Sequence, residues 1–251
     1  DELTAETPKC TMPTPHKCIA LIVAAGHGVR AGQGAPKQYR NLAGRQVLRR
    51  GIHAFATHPG VSGVQVVISP EHRPFYDTAT QGLSLRPPVS GGETRQQSVL
   101  AGLESLRDDP PSVVLIHDAA RALVDAQTIS AVIDALSSAD GALPVLAAAD
   151  TLKRISSDRV VSTLSRDGIG LAQTPQGFHF EKILQAHRAA RDTNFTDDAA
   201  IAEHAGLRVR AVAGSRLNFK LTTPEDFLMA EALLAQTGTI RTGMGFDVHR
   251  F

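Results

Sequence analysis

The chain has 251 residues, of which 42% are hydrophobic and 20% charged, with a formal net charge of +1; this is the make-up of an ordinary soluble globular protein. Its length holds one large α/β domain or two small ones. The near-zero net charge excludes a general nucleic-acid or membrane surface, which needs a basic excess, and no apolar run approaches the roughly 20 residues of a membrane span. Two cysteines, Cys10 and Cys18, imply no disulfide framework and a reducing, cytoplasmic setting. Asp1 and Glu2 stand where a signal peptide would carry basic residues, so none is expected. The chain also lacks an initiator Met, which leaves room for a natural start upstream.

In chain order, residues 1–17 hold three prolines and little apolar content, and read as a disordered leader. Strands are then expected at Ile19–Ala25, Val64–Ser69, Val113–His117, Gly141–Leu146 and Val209–Val212. Helices are expected at Gln46–Thr57, Arg95–Leu106, Ala126–Ser137, Glu181–Arg191, Asp197–Ala205 and Pro224–Leu234. The alternation predicts an α/β fold, a Rossmann-like, mostly parallel sheet with helices on both faces. One segment, Asp150–Phe178, reads as too polar for a core strand and too β-branched for a helix. Its turn pairs, Ser157-Asp158 and Asp167-Gly168, predict a protruding β-arm. A two-stranded arm is marginal alone, so a partner subunit is the expected support.

The first strand runs into a loop with Gly26, Gly28, Gly32 and Gly34 that closes on Pro36-Lys37. Gly26, Gly28 and Ala31 satisfy the dinucleotide pattern, but no acidic residue lies between Glu6 and Glu71 to hold an adenosine ribose. Arg49 and Arg50 keep NADP as a rival through a 2′-phosphate. The P-loop pattern fails, because Gln38 follows Lys37 where Ser or Thr is required. A long glycine loop offers backbone N–H groups to anionic oxygens. With Arg30 and Lys37 added, it suits a triphosphate and its departing pyrophosphate, against the plainer reading of a surface loop.

A second strand, "VVLIHDAAR", delivers Asp118 to the carboxyl edge of the sheet, where such folds bind ligands. One carboxylate beside phosphates suits Mg²⁺; a helix cap is the compatible alternative. Arg121 lies within reach of a second anion, and His117 reads as structural.

The motifs "AAGHGVRAGQGAPKQY", "SGGETRQQSVLAGL", "IHDAAR", "ADTLKR", "QTPQGF", "FTDDAA" and "NFKLTTPED" occur in this order over residues 19–235. In this the chain resembles the 2-C-methyl-D-erythritol 4-phosphate cytidylyltransferases of the non-mevalonate isoprenoid route. The resemblance implies a domain over residues 18–236 that uses CTP, methylerythritol phosphate and Mg²⁺. It implies transition-state roles for Arg30 and Lys37, with Lys220 as a further cation on the phosphate side. Nucleotide contacts fall on Ala24, Ala25, Gly26, Gly91, Gly92 and Ser98, and on Glu93, where the family commonly has Asp. Asp118 matches the magnesium ligand. Arg121, Thr196 and Asp197 match substrate contacts, while Thr151 and Arg166 match residues that an arm at about 150–178 carries into the neighbouring subunit of a homodimer. From the residues alone, Thr196-Asp197 equally begins a helix, and Lys220 and Arg166 equally read as exposed basic side chains.

The chemistry is self-consistent. A phosphate nucleophile is already ionised at neutral pH and needs no general base. What two polyanions need is charge neutralisation, which cations supply. The alternatives are a cytidylyltransferase for another sugar or pentitol phosphate, and a non-catalytic nucleotide sensor.

The chain ends in "TGMGFDVHRF". Asp247 and His249 are spaced to leave one face of a strand together, and such a pair binds a divalent metal such as Zn²⁺ when further ligands complete the site. The stretch resembles the opening strand of 2-C-methyl-D-erythritol 2,4-cyclodiphosphate synthases. Residues 237–251 are therefore expected to be a linker and the start of a second, fused synthase domain.

Overall fold

The computed structural model describes residues 17–26 and 35–236. The expected leader, the loop segment carrying Arg30, and the tail with Asp247 and His249 lie outside the described residues. In chain order the elements are β1 (Cys18–Ala24), β2 (Asn41–Leu42), β3 (Arg45–Gln46), α1 (Val47–Ala56), β4 (Gly63–Ile68), α2 (Arg73–Thr80) and β5 (Val89–Ser90). Next come α3 (Arg95–Glu104), β6 (Val113–Asp118), α4 (Ala126–Ala135), β7 (Gly141–Ala147), β8 (Leu152–Ser156) and β9 (Arg159–Leu164). The remainder are β10 (Gly170–Ala172), β11 (Gln176–His179), α5 (Phe180–Ala189), α6 (Asp198–His204), β12 (Val209–Ala213) and α7 (Pro224–Gln236).

An eight-stranded sheet carries the domain, in the order β10-β7-β11-β6-β1-β4-β5, with β12 also paired to β7. β1 pairs in parallel with β4 and β6, β4 with β5, and β7 with β12. β11 runs antiparallel to β6 and β7, and β10 antiparallel to β7. This is the expected α/β fold.

β1 and β6 are buried on both faces, which is why they read as continuous apolar runs. Their side chains alternate between two cores. Ala20, Ile22 and Leu115 face Leu48, Ile52 and Phe55 of α1 and Ile129 of α4. Ile19, Leu21, Val114 and Ile116 face Val99 and Leu103 of α3 and Ile183 and Leu184 of α5. Helix starts are capped where the sequence supplies short polar residues. Thr94 and Gln97 form a reciprocal capping box at α3, and Asp125 and Asp197 cap α4 and α6.

The chain passes from β1 outward through β4 and β5, then returns to β6 on the other side of β1. That reversal opens a crevice at the carboxyl ends of β1 and β6. Ala24 and Asp118, which end these strands, face it.

The arm is shorter than expected. Only β8 and β9 stand apart, as a two-stranded hairpin turning at Ser157-Asp158. β10 and β11, at the end of the same segment, are strands of the main sheet. Gln176, Gly177 and Phe178 are buried: the amide of Gln176 is satisfied by Asp197 and by the backbone N–H of Ala199, so a polar side chain is accommodated in the core. α2 was not expected either; at eight residues it is shorter than the window over which a helical period is read.

Candidate active site

The crevice is a cleft of about 460 Å³, within the range of small-molecule sites. Its floor is the backbone from Val23 to Gly26, where β1 ends. Gln38 fastens this strand end, donating from Nε2 to Ala24 O at 2.8 Å and to Gly26 O at 2.7 Å. Gln38 thereby brings the far end of the glycine loop back to its start and sets Lys37 on the cleft wall.

The opposite wall is the turn before α3, where Gly92, Glu93, Thr94 and Ser98 line the cleft. Ser98 is buried, accepts from Gly92 N at 3.2 Å and donates to Thr94 O at 2.9 Å. Gln97 Oε1 accepts from Glu93 N and Thr94 N at 2.9 and 3.2 Å. Gly91 lies one residue behind, where a side chain would collide with Ala25 and Ser98. Ser98 thus shapes the wall through the backbone rather than projecting a free hydroxyl.

Charge concentrates around Asp118. Its Oδ1 accepts from Arg95 Nε at 2.9 Å and its Oδ2 from Lys220 Nζ at 2.7 Å. Burial would raise this carboxyl, but Arg95 and Lys220 outweigh it and hold Asp118 well below the usual carboxylate range. The backbone positions it too. Thr174 Oγ1, from the QTPQGF motif, accepts from Asp118 N at 3.1 Å and pairs with His117 Nδ1 at 3.1 Å. His117 Nε2 lies 3.0 Å from Arg121 O, which only accepts, so Nε2 carries the proton. Burial pushes His117 down to about 4, in keeping with a structural, neutral imidazole.

Arg95 also reaches away from the cleft, donating from Nη2 to Asp198 Oδ2 at 2.8 Å. Asp198 is fully buried, and His187 Nε2 lies 3.2 Å from its Oδ1. Burial alone would raise the Asp198 carboxyl, but Arg95 and His187 prevail and lower it. Arg95 and Asp198 were not singled out in the sequence. Arg95 lies inside a quoted motif, but what it bridges comes from strands and helices far along the chain.

Other expected residues fall elsewhere. Arg121 does not line the cleft: it is tied by Nη1 to Asn218 O at 2.7 Å and by Nη2 to Ala172 O at 3.3 Å. Asp197 caps α6 by accepting from Ala200 N at 3.0 Å and also accepts from Gln176, and Thr196 beside it is exposed. Thr151 and Arg166 are exposed at the base of the hairpin, with Arg166 donating to Ala149 O. They lie outside their own chain's cleft.

Among the described residues no three His, Cys, Asp or Glu side chains gather as a metal site. Asp118 keeps lone pairs beyond its two N–H partners, and Mg²⁺ binds through one or two carboxylates together with substrate phosphates. The residues fit a magnesium ion that arrives with a triphosphate, not one held by protein alone.

The sequence profile of the 2-C-methyl-D-erythritol 4-phosphate cytidylyltransferase family matches residues 18–236. The chain belongs to this family. The bifunctional enzyme IspD/IspF of Rhodopseudomonas palustris (strain TIE-1) is 52% identical over 246 residues, covering 96% of this chain and 62% of that protein. The chain therefore spans somewhat under two thirds of the curated relatives it matches. The 2-C-methyl-D-erythritol 4-phosphate cytidylyltransferase of Thermus thermophilus superposes with a TM-score of 0.75 at 32% identity, over 88% of this chain and 100% of that one. The bifunctional IspDF of Campylobacter jejuni superposes with a TM-score of 0.69 at 25% identity, over 84% of this chain and 53% of that one. Among the described residues no helix is long and apolar enough to cross a membrane.

Proposed function

We propose that this domain transfers the cytidylyl group of CTP to 2-C-methyl-D-erythritol 4-phosphate, releasing pyrophosphate. The observation that carries the reading is the cleft itself. Open backbone at the end of β1, Lys37 on one side and the Lys220–Asp118–Arg95 cluster on the other line one cavity. An oxygen of the substrate phosphate attacks the α-phosphorus in line, and the bond to the β-phosphate breaks with its electron pair leaving on pyrophosphate. The nucleophile is ionised at neutral pH, so no side chain need take a proton. Lys37 and Arg30 neutralise charge that develops on the α-phosphoryl oxygens, and Lys220 holds the incoming phosphate. Asp118 would hold Mg²⁺, which when bound supplies further neutralisation of the triphosphate. The nucleotide lies along Ala24, Ala25 and Gly26, with its base toward Gly91, Gly92, Glu93 and Ser98; Arg121, Thr196 and Asp197 remain assigned to the substrate side.

The active form is a homodimer in this reading. The β8–β9 hairpin exposes Ile155, Val160 and Val161, each 60–62% accessible, and an isolated two-stranded ribbon gains stability by packing on another surface. The partner's cleft then receives Thr151 and Arg166. The lengths of the bifunctional relatives and the "GMGFDVHRF" ending support a longer protein with a cyclodiphosphate synthase domain. There Asp247 and His249 would bind a divalent metal such as Zn²⁺.

Pyrophosphate release from CTP tests the reading. It should require both methylerythritol phosphate and Mg²⁺. Equal turnover with a pentitol phosphate would move the substrate assignment, and CTP binding without any release would make the domain a sensor.

A further inference from the structure

A line of alternating charge runs from the cleft into the core, in the order Lys220, Asp118, Arg95, Asp198, with the His187 ring packed beyond it. Only its first three members touch the cleft. Asp198 has no accessible surface, and its element, α6, belongs to the layer that α5 forms below α3. A fully buried carboxylate is costly unless it is paired, and the proposed chemistry gives Asp198 nothing to do.

Its consequence lies in how it divides Arg95. The guanidinium is a planar fork that fits one carboxylate with two parallel N–H bonds. Arg95 does not do this. It gives Nε to Asp118 Oδ1 at 2.9 Å and Nη2 to Asp198 Oδ2 at 2.8 Å. Because Asp198 occupies the second arm, Asp118 Oδ2 is left for Lys220 Nζ at 2.7 Å. His187 Nε2 lies 3.2 Å from the other Asp198 oxygen without hydrogen-bond geometry, and Asp197 next to it caps α6. Gln96, beside Arg95, ties the same two layers together, donating to Ala190 O at 2.9 Å and accepting from Phe195 N at 3.2 Å.

We propose that Asp198 is a positioning residue of the active site: by holding one arm of Arg95 it keeps Asp118 shared between Arg95 and Lys220, and so fixes the Lys220 ammonium at the cleft. Without the buried anion, Arg95 turns both arms to Asp118 and displaces Lys220. The proposal rests on the cytidylyltransferase reading for its kinetic consequence but not for its geometry.

The test uses Asp198→Asn, which keeps the shape and removes the charge, and Arg95→Lys, whose single ammonium cannot bridge two carboxylates. Loss of such supporting partners typically lowers activity about 10–100-fold. Each variant should lower kcat by that factor while the KM for CTP stays within about threefold. In Asp198→Asn the Lys220 amine should also become several-fold more reactive toward acetylation, read by peptide mass mapping of ligand-free protein. A folded variant with wild-type kcat, or one whose kcat falls with Lys220 labelling unchanged, overturns the proposal. Should Asp198→Asn fail to fold, Asp198→Ser, which also removes the buried anion and leaves Arg95 its fork, carries both measurements. Should wild-type protein lack turnover, the functional reading fails, and Lys220 labelling still decides the positioning role.

Discussion

Replacing Gly91 by Ala tests whether the two walls of the cleft meet as described. Gly91 follows β5 and donates from its backbone N–H to Ile68 O at 2.8 Å, so it is anchored to the end of β4. A Cβ built there would lie 2.6 Å from Ala25 Cβ, 2.7 Å from Ser98 Oγ and 3.2 Å from Ser98 Cβ. Carbon atoms in contact prefer roughly 3.5–4.0 Å, so about 1 Å of separation must be found. Ala25 has no rotamer to yield, and Ser98 is held by Gly92 and Thr94, so the backbone of one wall has to move. Overpacking of this kind costs about 1–3 kcal/mol. For a domain of this size that lowers Tm by roughly 3–9 °C. The displaced wall is the one assigned to the nucleotide, so the KM for CTP should rise about tenfold, equivalent to about 1.4 kcal/mol. kcat should change less, because Lys37 and Lys220 stand on other segments. Thermal unfolding and steady-state pyrophosphate release measure both effects. A Gly91→Ala protein with wild-type Tm and wild-type KM would refute the contact between β1 and the α3 turn.

Lys37→Ala should lower kcat by about 2.7–4 kcal/mol of transition-state stabilisation, with CTP affinity in equilibrium binding far less changed; near-normal turnover would remove Lys37 from the mechanism. If the hairpin completes the neighbouring site, mixing inactive Arg166→Ala and Lys37→Ala subunits should restore activity through heterodimers. Persistent inactivity after subunit exchange, verified by mass spectrometry, would mean that each site is built within one chain. Burial lowers His117 to about 4 against an ordinary value near 6.5, so in that window the unfolded chain binds a proton that the native state does not. This contribution is present above about pH 6.5 and lost as pH falls towards 4, in total a few kcal/mol. Urea midpoints across that range should fall less steeply for His117→Asn than for the native chain, and identical slopes would exclude His117 as a source.

Local patterns in the chain were enough to specify five of the eight strands of the sheet and most of its cover. β1 and β6 are legible because a strand buried on both faces must be apolar throughout, and helices α1, α4 and α5 because each amphipathic face repeats at a local period. The glycine loop, Lys37 and Asp118 were legible for a related reason. Strand ends and glycine turns are local signals, and an α/β sheet delivers them to one crevice whatever its details. What those groups touch emerges only when distant segments meet. Arg95 and Asp198 lie 103 residues apart, and nothing near either one announces the other. Arg121 reads as an anion partner near Asp118, but nothing local to it announces the backbone carbonyls of Asn218 and Ala172 that hold its guanidinium. Gln176 looked too polar for the core until Asp197 and the N–H of Ala199 supplied partners. Propensity and period are written within a few residues of chain, whereas the partner of a buried polar group is fixed only by long-range packing, because its desolvation has to be met by whichever group the fold brings within hydrogen-bond distance.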